Sequence, residues 1–345
     1  MKRHAGTAVL VAVAAVCASI PVPSRYVESV YSRTIYPAMQ WWVTMASNTV
    51  PIALLDVALG VVLSALAWRF VVRARRFGFR RASGWALVTL IRSGAVAYLA
   101  FLALWGLNYR RMPLEQRLDY DRTRMTRESV LAFANRAVNE INAGYAAAHA
   151  LTGNLTALEY AFLDAELALG SRSPTMLGDP KRSLLTLYFR AAGIDGMTDP
   201  IFLEIIVNPE VLDVERPMVV AHEWSHLAGY ANESEASFLA WLACMRGDAL
   251  AQYSGWFAAY EHAMRALPRQ DRAAVKTLDP GPRDDLRAMV ARYGRASPVV
   301  RKAAEGVYDE YLRANRVAEG IGSYDAVLRL MVATRLDPEW KPALR

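Results

Sequence analysis

The chain opens with three apolar stretches and only afterwards takes up the mixed pattern of a folded domain. Residues 51–71 and 85–107 each reach the roughly 20 residues that cross a bilayer. Residues 5–20 (AGTAVLVAVAAVCASI) read as a short first span or as a signal-peptide core. No small-x-small cleavage pattern follows Ile20 before Pro21 and Pro23, so an uncleaved span is preferred and three spans are expected. From Met112 onward charged residues recur at helical spacing, and residues 127–148 and 155–170 predict amphipathic helices. Residues 171–182 (SRSPTMLGDPKR) predict a loop, and the short runs 184–189 (LLTLYF) and 201–207 (IFLEIIV) predict strands. The remainder predicts helices, with breaks near Pro268, over 279–282 and over 320–323. The expected fold is α+β and mostly helical, with a membrane anchor over 1–111 and a domain with a small sheet over 112–345.

Composition sharpens this picture once it is resolved along the chain. Hydrophobic residues make up 54% and charged residues only 21%, which excludes a disordered or collagen-like protein. The net charge is +7, but Lys and Arg outnumber Asp and Glu 13 to 2 up to Arg111, and the rest of the chain carries 27 against 31. The folded part is therefore net acidic, which argues against nucleic acid as a partner. Arg69, Arg73, Arg75, Arg76, Arg80 and Arg81 cluster between the second and third apolar stretches, where they predict a short cytoplasmic loop. The chain after Leu107 is then expected outside the cytoplasm. Asp56 and Arg92 fall within expected spans and are expected to snorkel to the nearer interface. Cys17 and Cys244 show neither a disulfide framework nor a CxxC spacing.

One motif carries chemistry: His222-Glu223-Trp224-Ser225-His226. Pro217 suits the first turn of a helix, no breaker follows before Leu227, and Gly229 falls where such a helix would end. Histidines at i and i+4 face the same way and can share one metal ion. Glu223 then projects beside the metal, in the position of a general base. A catalytic zinc site takes three protein ligands, and Glu233 and Glu235 follow the glycine almost at once. Asn232 as N-cap with Glu235 three residues later predicts a capping box. Glu235 then has a structural role and Glu233 is the preferred third ligand, with both kept as candidates. The run 201–207 is a candidate edge strand for pairing with a substrate backbone, or a buried core strand. Tyr308, Tyr311 and Tyr324 are candidate donors to an oxyanion, Tyr324 foremost because it follows Gly322 and Ser323 at a helix start.

These residues resemble a zincin metalloprotease of the glutamate-ligand kind. Glu233-x-x-Ala236-Ser237 is similar to the helix that carries the third ligand there, with Ser237 where those proteins have Asp. WGLNYRRMPL, GIDGMTDPIFLEIIVN, HEWSHLAGYANESEASFLAWLAC and VYDEYLRANRVAEGIGSYDAV resemble, across nearly the whole chain, a bacterial family of unknown function with three membrane spans and an HExxH domain. The resemblance implies a multi-pass protein of the bacterial cytoplasmic membrane with Zn2+ on His222, His226 and a glutamate. It would hydrolyse peptide bonds in protein or peptide substrates with a zinc-activated water and Glu223 as base. A zinc amidohydrolase acting on cell-envelope substrates and a non-enzymatic membrane sensor or scaffold are the alternatives.

Overall fold

Helix is the default of this chain wherever proline and glycine do not interrupt it. The computed structural model describes residues 2–151, 153–315, 317 and 326–345. Helix α1 (Lys2–Ser19) ends before Pro21 and Pro23, and α2 (Ser24–Asn48) leaves it at a bend of 99°. Proline removes a backbone donor and pushes the residue before it out of the helical region, so the bend falls there. Helices α3 (Leu54–Phe77) and α4 (Phe79–Leu104) are separated by Gly78 alone, which adopts a φ of +82°. Both are long and apolar enough to cross a membrane, and the bent α1–α2 pair makes a third candidate if taken as one span. Val61, Leu63, Leu87 and Leu90 lie exposed on α3 and α4. So large an apolar surface is suited to hydrocarbon rather than water.

The six clustered arginines are helical rather than in a loop. Arg69, Arg73, Arg75 and Arg76 lie near the end of α3, and Arg80 and Arg81 lie in the first turn of α4. A single glycine in the left-handed region reverses the chain, so the arginines can stay on helix, and Arg69 and Arg73 stack on Trp85 at 5.6 and 4.9 Å. Asp56 and Arg92 each have partners within the chain. Asp56 accepts from Ser183 Oγ and from Leu184 N–H, both at 2.7 Å, and Arg92 Nε donates to Thr7 Oγ1 at 2.6 Å.

Beyond the apolar helices, α5 (Arg127–His149) and α6 (Thr156–Ala168) form where helical periodicity predicts them. Thr126 and Ser129 close a capping box at the start of α5. Residues 184–189 depart from expectation: the chain turns at Ser183 and enters α7 (Thr186–Ala192). Asp56 holds Ser183 and Leu184 in that turn, and Leu184 and Leu187 are exposed, so the run never acquires the buried face a strand needs. The sheet has two strands, β1 (Gly196–Asp199) antiparallel to β2 (Glu204–Val207), with Gly196 opposite Val207. β2 is buried throughout and is not an edge. Lys181 N–H donates to Ile205 O and Val207 N–H to Lys181 O, on the side away from β1.

Helices α8 (Arg216–Leu227), α9 (Glu233–Arg246) and α10 (Ala249–Ala266) complete the centre, with α11 (Pro280–Tyr293), α12 (Pro298–Ala314) and α13 (Ala326–Ala333) outside them. Every residue of α9 from Glu233 to Met245 is buried, and from Phe238 to Met245 the helix is apolar on all sides. One continuous core joins it to Val27, Tyr31, Tyr36 and Trp105 of the N-terminal third.

A buried ion pair fastens this third to the sheet. Lys181 Nζ donates to Glu204 Oε2 at 2.8 Å and to Ser47 O at 2.8 Å, while Glu204 accepts from the N–H groups of Leu54 and Leu55 at the start of α3. Removing one member of a buried pair leaves an uncompensated charge, which costs about 3–5 kcal/mol. Glu204→Ala is therefore expected to lower unfolding stability in detergent by that amount, followed by tryptophan fluorescence in denaturant. A loss below about 1 kcal/mol, the size of an exposed pair, would show that the tether is not a principal support.

Candidate metal centre

The site begins with the way α8 ends. Gly229 takes a φ of +79°, Tyr230 N–H donates to Ser225 O at 3.0 Å and Gly229 N–H to His226 O at 3.0 Å. This is a Schellman reversal, which needs a residue tolerant of the left-handed region. A Cβ at Gly229 would also stand 3.1 Å from Asn108 Oδ1 and from Tyr36 Cε1. The reversal turns the chain back so that the first residue of α9, Glu233, faces the histidines of α8.

His222, His226 and Glu233 meet at a single point. His222 Nε2 lies 3.2 Å from His226 Nε2 and 3.2 Å from Glu233 Oε2, and His226 Nε2 lies 3.5 Å from the same oxygen. Glu233 Oε2 is buried and has no hydrogen-bond partner. His226 Nδ1 is 2.8 Å from Tyr230 O, which only accepts, so the proton is assigned to Nδ1 and Nε2 presents a lone pair. His222 Nδ1 is 3.2 Å from Ser237 Oγ. Three potential electron-pair donors thus crowd one point, an arrangement that repels itself unless a metal ion, or a proton on a histidine, stands among them. Four ligands arranged tetrahedrally about an ion at about 2.0–2.1 Å are separated by roughly 3.3–3.4 Å, close to the three distances found. The residues present fit a metal ion, and they form the one such group of three among the described residues.

Electrostatics follow the same geometry. Burial opposes a charge on His226, yet the Glu233 carboxylate pushes its pKa up to about 9. Burial also opposes a charge on Glu233, and the two histidines outweigh it and hold that carboxyl well below its usual range. Glu223 is held above the usual carboxylate range by burial, against the pull of His222 and His226.

Glu223 is pinned by residues that sequence reasoning passed over. Thr198 Oγ1 lies 2.8 Å from Glu223 Oε2 and 3.0 Å from Glu223 O. A Cβ at Gly196 would fall 2.6 Å from Glu223 Oε1, so only glycine leaves room for this carboxylate. Both belong to β1, a strand of four residues closed by Pro200 and too short for its alternation to be recognised.

Glu235 stands apart from the metal-competent group. Its Oε1 accepts from Leu114 N–H at 2.7 Å, and burial raises its pKa. The expected capping box is not made, because Asn232 caps Ser234 N–H while Glu235 is drawn to Leu114. Tyr308 of α12 donates its hydroxyl hydrogen to Glu233 Oε1 and stacks on Tyr311 at 5.7 Å. Tyr324 lies outside the described residues.

A family model described as "Protein of unknown function (DUF3810)" matches residues 31–332. The chain belongs to this family. The match runs from α2 into α13 and contains every residue of the candidate metal group. Comparison with curated proteins and with solved structures gives no match.

Metal analysis by mass spectrometry on the detergent-solubilised full chain is expected to find about one ion per chain, as a single three-ligand site requires. His222→Ala and Glu233→Ala should lose it and Glu235→Gln should keep it. Loss in Glu235→Gln with retention in Glu233→Ala would reverse the ligand assignment. Ser237→Ala, which removes the hydroxyl beside His222 Nδ1, should weaken binding about 10–100-fold.

Proposed function

We propose that the protein is a membrane-anchored zinc metallopeptidase. The observation that carries this reading is the set of three donor atoms at tetrahedral spacing, with the restrained carboxylate of Glu223 on the same helix. His222, His226 and Glu233 would hold Zn2+, which suits two imidazoles and a carboxylate. When bound, zinc supplies Lewis-acid polarisation of the scissile carbonyl and makes water more acidic.

The chain's own groups account for the remaining chemistry. Glu223 accepts a proton from the water that adds to the carbonyl carbon, and returns it to the amine nitrogen as the C–N bond breaks. Thr198 and Gly196 restrict that carboxylate to one position. β1 pairs with β2 on one side, and among the described residues no strand pairs with its other edge. An extended peptide adding to that edge would run beside Glu223. Tyr308 positions Glu233 through Oε1 and leaves Oε2 for the metal.

The arginines at the α3–α4 turn favour a cytoplasmic position for that turn. The body that follows α4 would then lie outside the cytoplasm of a bacterial inner membrane, acting on protein or peptide substrates there.

Glu223→Gln is expected to retain stoichiometric zinc and to cut the cleavage of unfolded casein or of a mixed peptide library by about 10²–10⁴-fold, the usual contribution of a general base. Undiminished cleavage would remove Glu223 from the mechanism. A zinc-loaded wild-type protein that cleaves no peptide in the library would defeat the peptidase reading while leaving the metal centre intact.

A further inference from the structure

A second cluster of chemistry lies on the other side of the α8 turn and does not depend on the metal centre. A small, partly open hollow is lined by Arg33, Arg111, Arg117, Arg172, Gly170 and Tyr230, among others. Three of these guanidinium groups converge on one carboxylate. Arg33 Nε and Arg111 Nε each lie 2.9 Å from Glu28, and Arg117 Nη1 lies 3.3 Å from it. Glu166, which also lines the hollow, is engaged by Thr175 and Ser171. Arg172 is exposed. Four cationic side chains therefore stand against three carboxyls, Glu28, Glu166 and the buried Glu235, which interacts with Arg111 and Arg117, so cationic groups outnumber acidic ones by one.

The arginines are not fully used by the protein. Arg33 engages Glu28 through Nε, and Arg117, with a side chain only 8% exposed, points its buried Nη1 at Glu28 without a hydrogen bond and donates from Nη2 to Leu169 O at 2.6 Å. Gly170 adopts a φ of +82°, and the place a Cβ would occupy is 3.5 Å from Leu344 Cδ1 and 4.0 Å from Nη2 of both Arg117 and Arg33. The absence of a side chain there keeps open the approach to both nitrogens. Crowded guanidinium groups are stabilised by an anion that accepts from several of them at once. A carboxylate offers two oxygens, whereas phosphate offers more and can accept from several of these nitrogens at once. Arg111, which lines the hollow, directly follows Arg110, whose guanidinium donates to the carbonyls of Cys17 and Ala18 at the end of the apolar helix α1.

We propose that this hollow binds a phosphate group, supplied either by the headgroup of an anionic phospholipid in the adjoining leaflet or by free inorganic phosphate. Arg33 and Arg117 grip the oxygens beside Gly170, and Arg111, held by Glu28 and by Gly229 O at 2.8 Å, supplies charge from behind.

The test is thermal unfolding of the full chain, with two probes at fixed ionic strength. In detergent, inorganic phosphate is titrated against chloride; in vesicles, phosphatidylcholine alone is compared with phosphatidylcholine containing phosphatidylglycerol. Arg33→Gln removes one donor while Glu28 keeps its two other arginines. Ser173→Asp places a negative charge at the rim without disturbing an arginine. Stabilisation by inorganic phosphate, weakened about ten- to a hundredfold in apparent Kd by either variant, supports the site with the free ion as its source. Stabilisation by phosphatidylglycerol vesicles alone, lost in either variant, supports it with the lipid as its source. No stabilisation by either probe, or equal stabilisation of wild type and both variants, overturns the proposal. Far-UV circular dichroism of each variant confirms that it is folded before the comparison is made.

Discussion

Three lone pairs held at a common point are the constraint on which the centre of this protein depends. Two come from imidazoles one helical turn apart and the third from a carboxylate on the most deeply buried helix. The three atoms facing the common point lie within 3.5 Å of one another. The surroundings are built to hold that convergence. Tyr230 O and Ser237 Oγ meet the outward ring nitrogens of the histidines, and Tyr308 engages the outer oxygen of Glu233. Each contact fixes a ring or a carboxylate in orientation, and together they leave one small volume for a cation.

The N-terminal third supports this centre directly. A helix leaves its last carbonyls without internal partners, and those of α8 are met from outside it. Trp105 Nε1 donates to His226 O at 2.9 Å, Tyr36 Oη donates to Leu227 O at 2.8 Å, and Arg111 reaches Gly229 O just beyond the helix. Trp105 ends α4 and Tyr36 lies in α2, so apolar helices and the metal-competent helix share hydrogen bonds as well as a core. The Lys181–Glu204 pair joins α3 to β2 in the same manner. The apolar helices and the body that follows them are thus mechanically continuous, and the hollow lined by Arg33, Arg111 and Arg117 lies where they meet.

Elements whose stability is local were the legible ones. α5 follows helical periodicity and carries its own cap, and the apolar lengths that became α3 and α4 show on inspection. Misreadings arose where a distant partner overrode a local preference. The run 184–189 has the composition of a strand, but Asp56, more than a hundred residues earlier, holds its start in a turn. Glu235 occupies the position of a capping glutamate, but the N–H of Leu114 competes for it and wins. β2 looked able to serve as an edge until Lys181 closed its free side.

By itself the sequence determined the pair of histidines on one helical face, the glutamate between them, the glycine that ends their helix and the apolar lengths before them. All of these rest on spacing within a few residues, where backbone geometry alone dictates which side chains can meet. Tertiary structure alone decided which glutamate turns toward the histidines, how Thr198 and Gly196 confine Glu223, and that four arginines from separate segments surround one hollow. Those outcomes depend on groups brought together from across the chain, and no local pattern encodes their distances.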